Sequence, residues 1–449
     1  MNGLPPSKLL NLNDDVLLTI LQYCLPTQDP IQLPPEPQSQ RLLLCRICHR
    51  IRLLIHSTSA FWTRFAIIDA KSGRHRGLYE EWLSRGEKAG NSPPISIENR
   101  EEMAFSVQEL EEFVLPYANR LFRLHVYLTY DALETLFTLS PPGSFPQLCE
   151  FWAQCLDFQQ ASILGVEPVF KRSPLEDFTL ILGPPLHVRG LGISWHNLKA
   201  LRLIATKARF FFPISWVHTI LEACQSSLES CSLSLEPTTD PDLPRLELPR
   251  LESLSLNFRD SDAKTQIGII DLLSLPSLVS LNFSSMEGLA FNETCGSLKS
   301  FFLRSPNVRH LRFERTPSSG NGFGTSVNSL DLLDILNLLP ALQTIDFPKG
   351  PHTNVIAILE ALLLRNICPT LEHVHFLVHN GLQVVRVIQV LWREAAEAGN
   401  ERNLRTIKIV DPKLSWIGIC QPSPREDPDI TLGRKIIREL EGEGLIIQT

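Results

Sequence analysis

The sequence predicts an α/β chain: a small all-α N-terminal module, then a long irregular array of parallel strands separated by helices. Three observations predict it. Eleven segments close to L-x-x-L-x-L recur between residues 121 and 411, several of the intervals carry helical periodicity, and residues 11–65 carry helical periodicity without the repeat.

In the N-terminal module (residues 1–65), Asn13 or Asp14 is placed to cap a helix along which Val16, Leu17, Ile20, Leu21 and Cys24 recur at helical spacing. Pro26 stops it. Residues 26–40 hold five prolines and predict a surface loop. One helix is predicted from about Arg41 to Ser57, with Leu44, Ile47, Cys48, Ile51 and Ile55 on one face, and Phe61, Trp62 and Phe65 plugging the end of this small core. Helices this short bury little surface alone, so the module needs the following domain or a partner. Residues 66–105 predict a linker, polar over 71–100, with one helix at Gly77–Arg85.

The repeat segments start at Leu121, Leu148, Leu175, Leu198, Leu228, Leu251, Leu278, Val308, Leu342, Leu371 and Leu404, at intervals of 27, 27, 23, 30, 23, 27, 30, 34, 29 and 33 residues. In each, the first apolar residue enters a turn, and the fourth and sixth point inward along a short strand. Helices are predicted at Ile214–Cys224, Ile267–Leu275, Leu330–Leu339, Val355–Arg365 and Val384–Ala398. A strand and a helix per ~20–29 residues is the leucine-rich-repeat arrangement. Intervals above that range predict an irregular solenoid over 106–420. The tail, 421–449, has Pro422, Pro424 and Pro428 and a short helix, Leu432–Leu440, placed to cap the open end.

If the fourth and sixth residues point inward, the fifth faces the opposite, concave surface. That row reads His125, Trp152, Thr179, Arg202, Ser232, Ser255, Asn282, Arg312, Asp346, His375 and Lys408. It is hydrophilic and mixed in charge, which suits a protein partner. Trp152, Arg202 and Arg312 are the strongest anchor candidates, because Trp and Arg dominate interface hot spots. Asn282, Asp346, His375 and Lys408 complete the candidate substrate-binding set.

Composition narrows the function classes. The 449 residues are 43% hydrophobic and 20% charged with a formal net charge of -7, ordinary for a folded chain and unfavourable for nucleic acid as main partner. No uncharged apolar run reaches membrane-spanning length, and Asn13, Asp14 and Asp15 interrupt the first apolar stretch, so neither a membrane partner nor a signal peptide is expected. The ten cysteines are then expected to stay reduced in the cytoplasm or nucleus, and the sequons at Asn282 and Asn292 to stay unmodified.

Four patterns mimic catalytic or metal sites. Cys45-Arg46-Ile47-Cys48-His49 matches C-x-x-C-H but lacks the export signal of haem attachment and the second pair of a zinc site. His373, His375 and His379 have no cysteine or carboxylate at ligand spacing. Gly320–Gly324 lacks the Gly-Lys-Ser/Thr ending of a phosphate loop. Glu80-Glu81 and Glu111-Glu112 fall on helix faces predicted to be exposed. No catalytic residue, metal or cofactor is expected.

Leu12-Asn13-Asp14-Asp15-Val16-Leu17, Leu44-Cys45-Arg46-Ile47-Cys48-His49-Arg50-Ile51, Thr58-Ser59-Ala60-Phe61-Trp62 and Tyr79-Glu80-Glu81-Trp82-Leu83-Ser84-Arg85, in that order, resemble the F-box-like proteins abundant in fungi that carry a C-terminal leucine-rich-repeat domain. Asn13 stands where the family has proline, Asp15 replaces its glutamate, and Ile51 replaces its tryptophan. The resemblance covers residues 10–100 by motif and the remainder by repeat style. It implies a substrate-recognition subunit of an SCF-type cullin ubiquitin ligase, with Leu12, Asn13, Val16, Leu17, Ile20 and Leu21 docking a Skp-type adaptor and the repeats holding a protein substrate. The other reading is a repeat scaffold whose degenerate box has no ubiquitin-ligase link.

Overall fold

The computed structural model describes residues 12–25, 31–36, 38–62, 65–68, 76–88, 94–99, 104–138, 143–155, 163–165, 169–182, 187–189, 193, 195–206, 212–235, 243–258, 268–284, 291–314, 329–347, 355–365, 367–377, 381–399, 403–410 and 428–448. It divides into two compact units, Met1–Leu198 and Lys199–Thr449.

In the first unit, α1 (Asp14–Cys24), α2 (Gln40–Ile47) and α3 (His49–Ser57) form the N-terminal helical set. The Asn13 side chain accepts a hydrogen bond from Asp15 N–H at 3.0 Å, satisfying one of the donors a helix start leaves open. Arg50 donates to the Asp14 carboxylate at 2.9 Å and the Leu12 carbonyl at 2.7 Å, tying the start of α1 to α3. Trp62 donates to the Ile55 carbonyl at 2.8 Å and meets Trp82 of α4 (Arg76–Lys88) edge-on at 5.2 Å.

Six strands of this unit, β1 (Ile31–Leu33), β2 (Phe65–Ile68), β3 (Ile95–Glu98), β4 (Leu121–Leu128), β5 (Glu150–Cys155) and β7 (Asp177–Leu182), pair in that order, all parallel. Two further strands, β6 (Ile163–Gly165) and β8 (His187–Arg189), pair with each other. Between strands run α5 (Val107–Phe113), opened by a Ser106–Glu109 capping box, and α6 (Tyr130–Thr138). Phe137 of α6 packs on Phe151 of β5 at 6.1 Å, and Phe151 stacks on Phe178 of β7 at 5.2 Å.

The second unit repeats the arrangement over nine parallel strands in order: β9 (Ala200–Ala205), β10 (Ser230–Leu235), β12 (Ser253–Phe258), β14 (Ser280–Ser284), β15 (His310–Glu314), β16 (Thr344–Phe347), β17 (His373–Leu377), β18 (Thr406–Val410) and β19 (Ile446–Gln448). A small pair joins β11 (Leu246–Glu247) to β13 (Leu273–Ser274). The helices are α7 (Ile214–Ala223), α8 (Gly268–Leu272), α9 (Phe291–Arg304), α10 (Ser329–Leu336), α11 (Val355–Leu364), α12 (Gly381–Glu397) and α13 (Pro428–Gly442).

One hydrogen-bond device recurs at the strand starts. The two residues entering a strand donate their N–H groups to a single carbonyl of the repeat before. Glu252 and Ser253 share Glu229 O, Arg309 and His310 share Val279 O, and Arg405 and Thr406 share Glu372 O. The preceding turns are also linked: Asn307 donates to Pro276 O at 2.7 Å, Thr370 to Pro340 O at 2.8 Å and Asn403 to Pro369 O at 2.6 Å. Inside, Phe283, Phe313, Phe347 and Phe376 form a stack with centroid spacings of 5.6, 5.4 and 5.8 Å. Parallel in-register pairing puts equivalent residues one strand spacing apart, so identical aromatics fall into contact.

Each of the eleven repeat segments carries a strand, with its fourth and sixth residues buried, as in Leu254 and Leu256 or Val374 and Phe376. The helix expected over Ile267–Leu275 is the short α8, with Leu273 and Ser274 in β13.

Four expectations are corrected. The N-terminal module is not all-α: Ile31 and Leu33 in the 26–40 stretch are buried in β1 rather than lying in a surface loop. The 66–105 region is not a polar linker, because β2 and β3 bury Ala66, Ile67, Ile95 and Ile97 in the sheet. The single helix expected over Arg41–Ser57 is two: extended backbone at Cys48 ends α2, and its thiol caps α3 by accepting from Ile51 N–H at 3.4 Å. That break turns Ile47 outward and Cys45 inward. Beyond the expected C-terminal helix, β19 extends the sheet by pairing with β18.

Candidate functional site

The outward row exists as a register. In the first unit Glu98 pairs with His125, His125 with Trp152, and Trp152 with Thr179. In the second, Arg202 pairs with Ser232, Ser232 with Ser255, Ser255 with Asn282, and Asn282 with Arg312. Arg312 then pairs with Asp346, Asp346 with His375, and His375 with Lys408. Equal repeat phase at the strand is enough to align these residues, although the intervals between them vary.

Thr179 departs from the expected exposure. It is buried, and its hydroxyl donates to Asp177 at 3.3 Å. Trp152 is half-buried, with the Tyr127 ring at 4.9 Å and the His125 ring at 6.2 Å. Beside it, the Glu150 carboxylate accepts from His125 Nε2 at 2.7 Å and from Arg123 Nε at 2.6 Å. The His125 hydrogen bond, followed by the charges of His125 and Arg123, holds the Glu150 carboxyl below its ordinary range, against the opposing effect of burial. Arg123, Tyr127 and Glu150 belong to this surface and were not singled out from sequence. Their signal is the same alternation, read at the third and seventh positions.

In the second unit Asn282 donates to Ser255 Oγ at 3.2 Å, and Asn257 to Ser234 Oγ at 3.3 Å. Asp346 stands between two bases, with Oδ1 2.6 Å from His375 Nδ1 and Oδ2 3.6 Å from Arg312. Lys408 and Arg312 are exposed, and Arg202 is half-buried.

The N-terminal strip is narrower than expected. Leu17 and Leu21 are 1% and 3% exposed and belong to the module's own core, so neither offers a docking contact. Asn13 is spent as the α1 cap, and Leu12 is half-buried. Val16 and Ile20 remain on the surface at 46% and 36%, joined by Tyr23 at 88%, which helical spacing puts on the same side of α1.

Among the described residues no three His, Cys, Asp or Glu side chains gather as a cation site, and no helix is long and apolar enough to cross a membrane. His373 is exposed, and its Nε2 lies 3.8 Å from Glu372. His379 and Gly320–Gly324 lie outside the described residues. Glu80, Glu81, Glu111 and Glu112 are exposed on their helices.

Fold and surface together define a class: an α/β repeat protein whose in-register parallel strands present polar and aromatic side chains. No family model matches the chain, and no curated protein matches it.

Proposed function

We propose that this chain is a substrate-recognition subunit of an SCF-type cullin ubiquitin ligase, acting in the cytoplasm or nucleus. Its N-terminal helices dock a Skp-type adaptor and its outward strand row holds a protein substrate. The observation that carries the docking half is the concentration of exposed apolar residues. Among the described residues, Val16, Ile20, Tyr23, Leu43, Ile47 and Leu53 are exposed within one short stretch of α1, α2 and α3. Burying such side chains in an interface stabilises it by roughly 1.5–3 kcal/mol each. Clustered exposed apolar residues mark interaction sites.

A second reading has one observation in its favour. The module contains β1, which pairs with β2, so the helices could serve only to cover the start of the sheet in a repeat scaffold. Co-purification separates the two. The full chain is expected to retain a Skp-type adaptor, and Ile20→Asp to lose it with an unchanged melting profile. A wild-type chain that retains no adaptor overturns the ligase reading and leaves the scaffold.

A further inference from the structure

The outward face of the second unit changes character along its length. From β10 to β14 the third and fifth positions are neutral: Ser230 and Ser232, Ser253 and Ser255, Ser280 and Asn282. From β15 to β18 they become two in-register rows, His310–Thr344–His373–Thr406 and Arg312–Asp346–His375–Lys408. Two carboxylates here, Asp346 and Glu372, already face bases. Asp346 lies against His375 and Arg312, and Glu372 lies 3.8 Å from His373 and 3.7 Å from Arg405. Arg312, Arg405 and Lys408 are exposed, on a chain whose formal net charge is -7.

We propose that this patch on β15–β18 receives an acidic, extended segment of the protein partner. The inference rests on the recognition role proposed above and names the chemistry of what is recognised. Charge complementarity argues for it: basic groups gathered on one face of an acidic chain attract and orient an acidic segment. Three strand spacings cover about 14 Å, the reach of roughly four extended residues. The half-buried Thr344 and Thr406 hydroxyls add hydrogen-bonding groups between the charges. Single-stranded nucleic acid is disfavoured, because no Phe, Tyr or Trp stands at the third or fifth positions here to stack a base.

Fluorescence anisotropy on the full chain tests it, with labelled hexaglutamate, hexaglutamine and single-stranded oligothymidylate as probes. Hexaglutamate is expected to bind and to weaken as salt is raised. Arg312→Glu and Lys408→Glu are each expected to weaken it by about tenfold or more. Lys435→Glu, exposed on α13 rather than on a strand of the patch, is expected to leave it within about twofold. The proposal is overturned if hexaglutamate does not bind, if hexaglutamine binds equally, if oligothymidylate binds more tightly, or if the charge reversals change nothing while the circular dichroism stays native. Adaptor retention is measured on the same preparations. A chain that keeps its adaptor but ignores hexaglutamate overturns only this inference; one that binds hexaglutamate without an adaptor overturns only the ligase reading.

Discussion

His375 Nδ1 lies 2.6 Å from Asp346 Oδ1 across two adjacent parallel strands, and Arg312 approaches the same carboxylate from the other side at 3.6 Å. The carboxylate therefore offsets positive charge on the outward face. Asp346→Asn is expected to tighten hexaglutamate binding several-fold at low ionic strength, an effect that fades with added salt. Weaker binding in that variant would instead assign Asp346 to holding Arg312 and His375 in place.

The Glu150 carboxyl is held low, first by the hydrogen bond from His125. A carboxyl depressed in the folded state stabilises the protein above its unfolded titration range, and that stabilisation is lost as pH falls through the folded value. Glu150→Gln is expected to lower stability near neutral pH by at most about 1 kcal/mol, the scale of a part-exposed pair. The difference from wild type should shrink below about pH 4. Urea midpoints at neutral and acid pH check the sign.

Phe347 sits in the buried stack between Phe313 and Phe376, at 5.4 and 5.8 Å. Phe347→Ala removes contacts on both sides and leaves a cavity that two neighbouring repeats would have to close. The expected cost is about 3–5 kcal/mol, with Phe347→Leu costing less. Chemical denaturation measures both.

Thiol reactivity should sort by burial. Desolvation pushes the Cys224 and Cys368 thiols up to about 12 and Cys231 well above its ordinary value, whereas Cys24 is exposed on α1. The thiolate is the reactive form. Maleimide at neutral pH is therefore expected to modify Cys24 in the native protein and to reach Cys224, Cys231 and Cys368 after unfolding. Peptide mass mapping of the labelled protein reads this out. Native labelling of Cys368 would show that its repeat opens readily.

Legibility differed along the chain for physical reasons. From Leu121 onward each of the eleven repeat strands has two inward apolar residues after a leading one, and that pattern is visible without knowing what it packs against. The strands β1, β2 and β3 are three or four residues long, too short for alternation to stand out beside prolines and polar residues. The division at Cys48 was hidden because the apolar spacing runs through it, while the interruption lies in the backbone. On α1, spacing showed which residues are apolar but not which of two apolar sides meets the core; Leu17 and Leu21 went in, and Val16 and Ile20 stayed out.

The sequence by itself determined the repeat, the phase of each strand and hence the identity of the outward row, because alternation along a strand is a local property of the backbone. Only the tertiary structure decided how those residues meet. Register between strands sets His125 and Arg123 against Glu150, Asp346 between Arg312 and His375, and four phenylalanines in one stack. Such contacts join residues some thirty positions apart through main-chain pairing of successive repeats, and no local pattern encodes them.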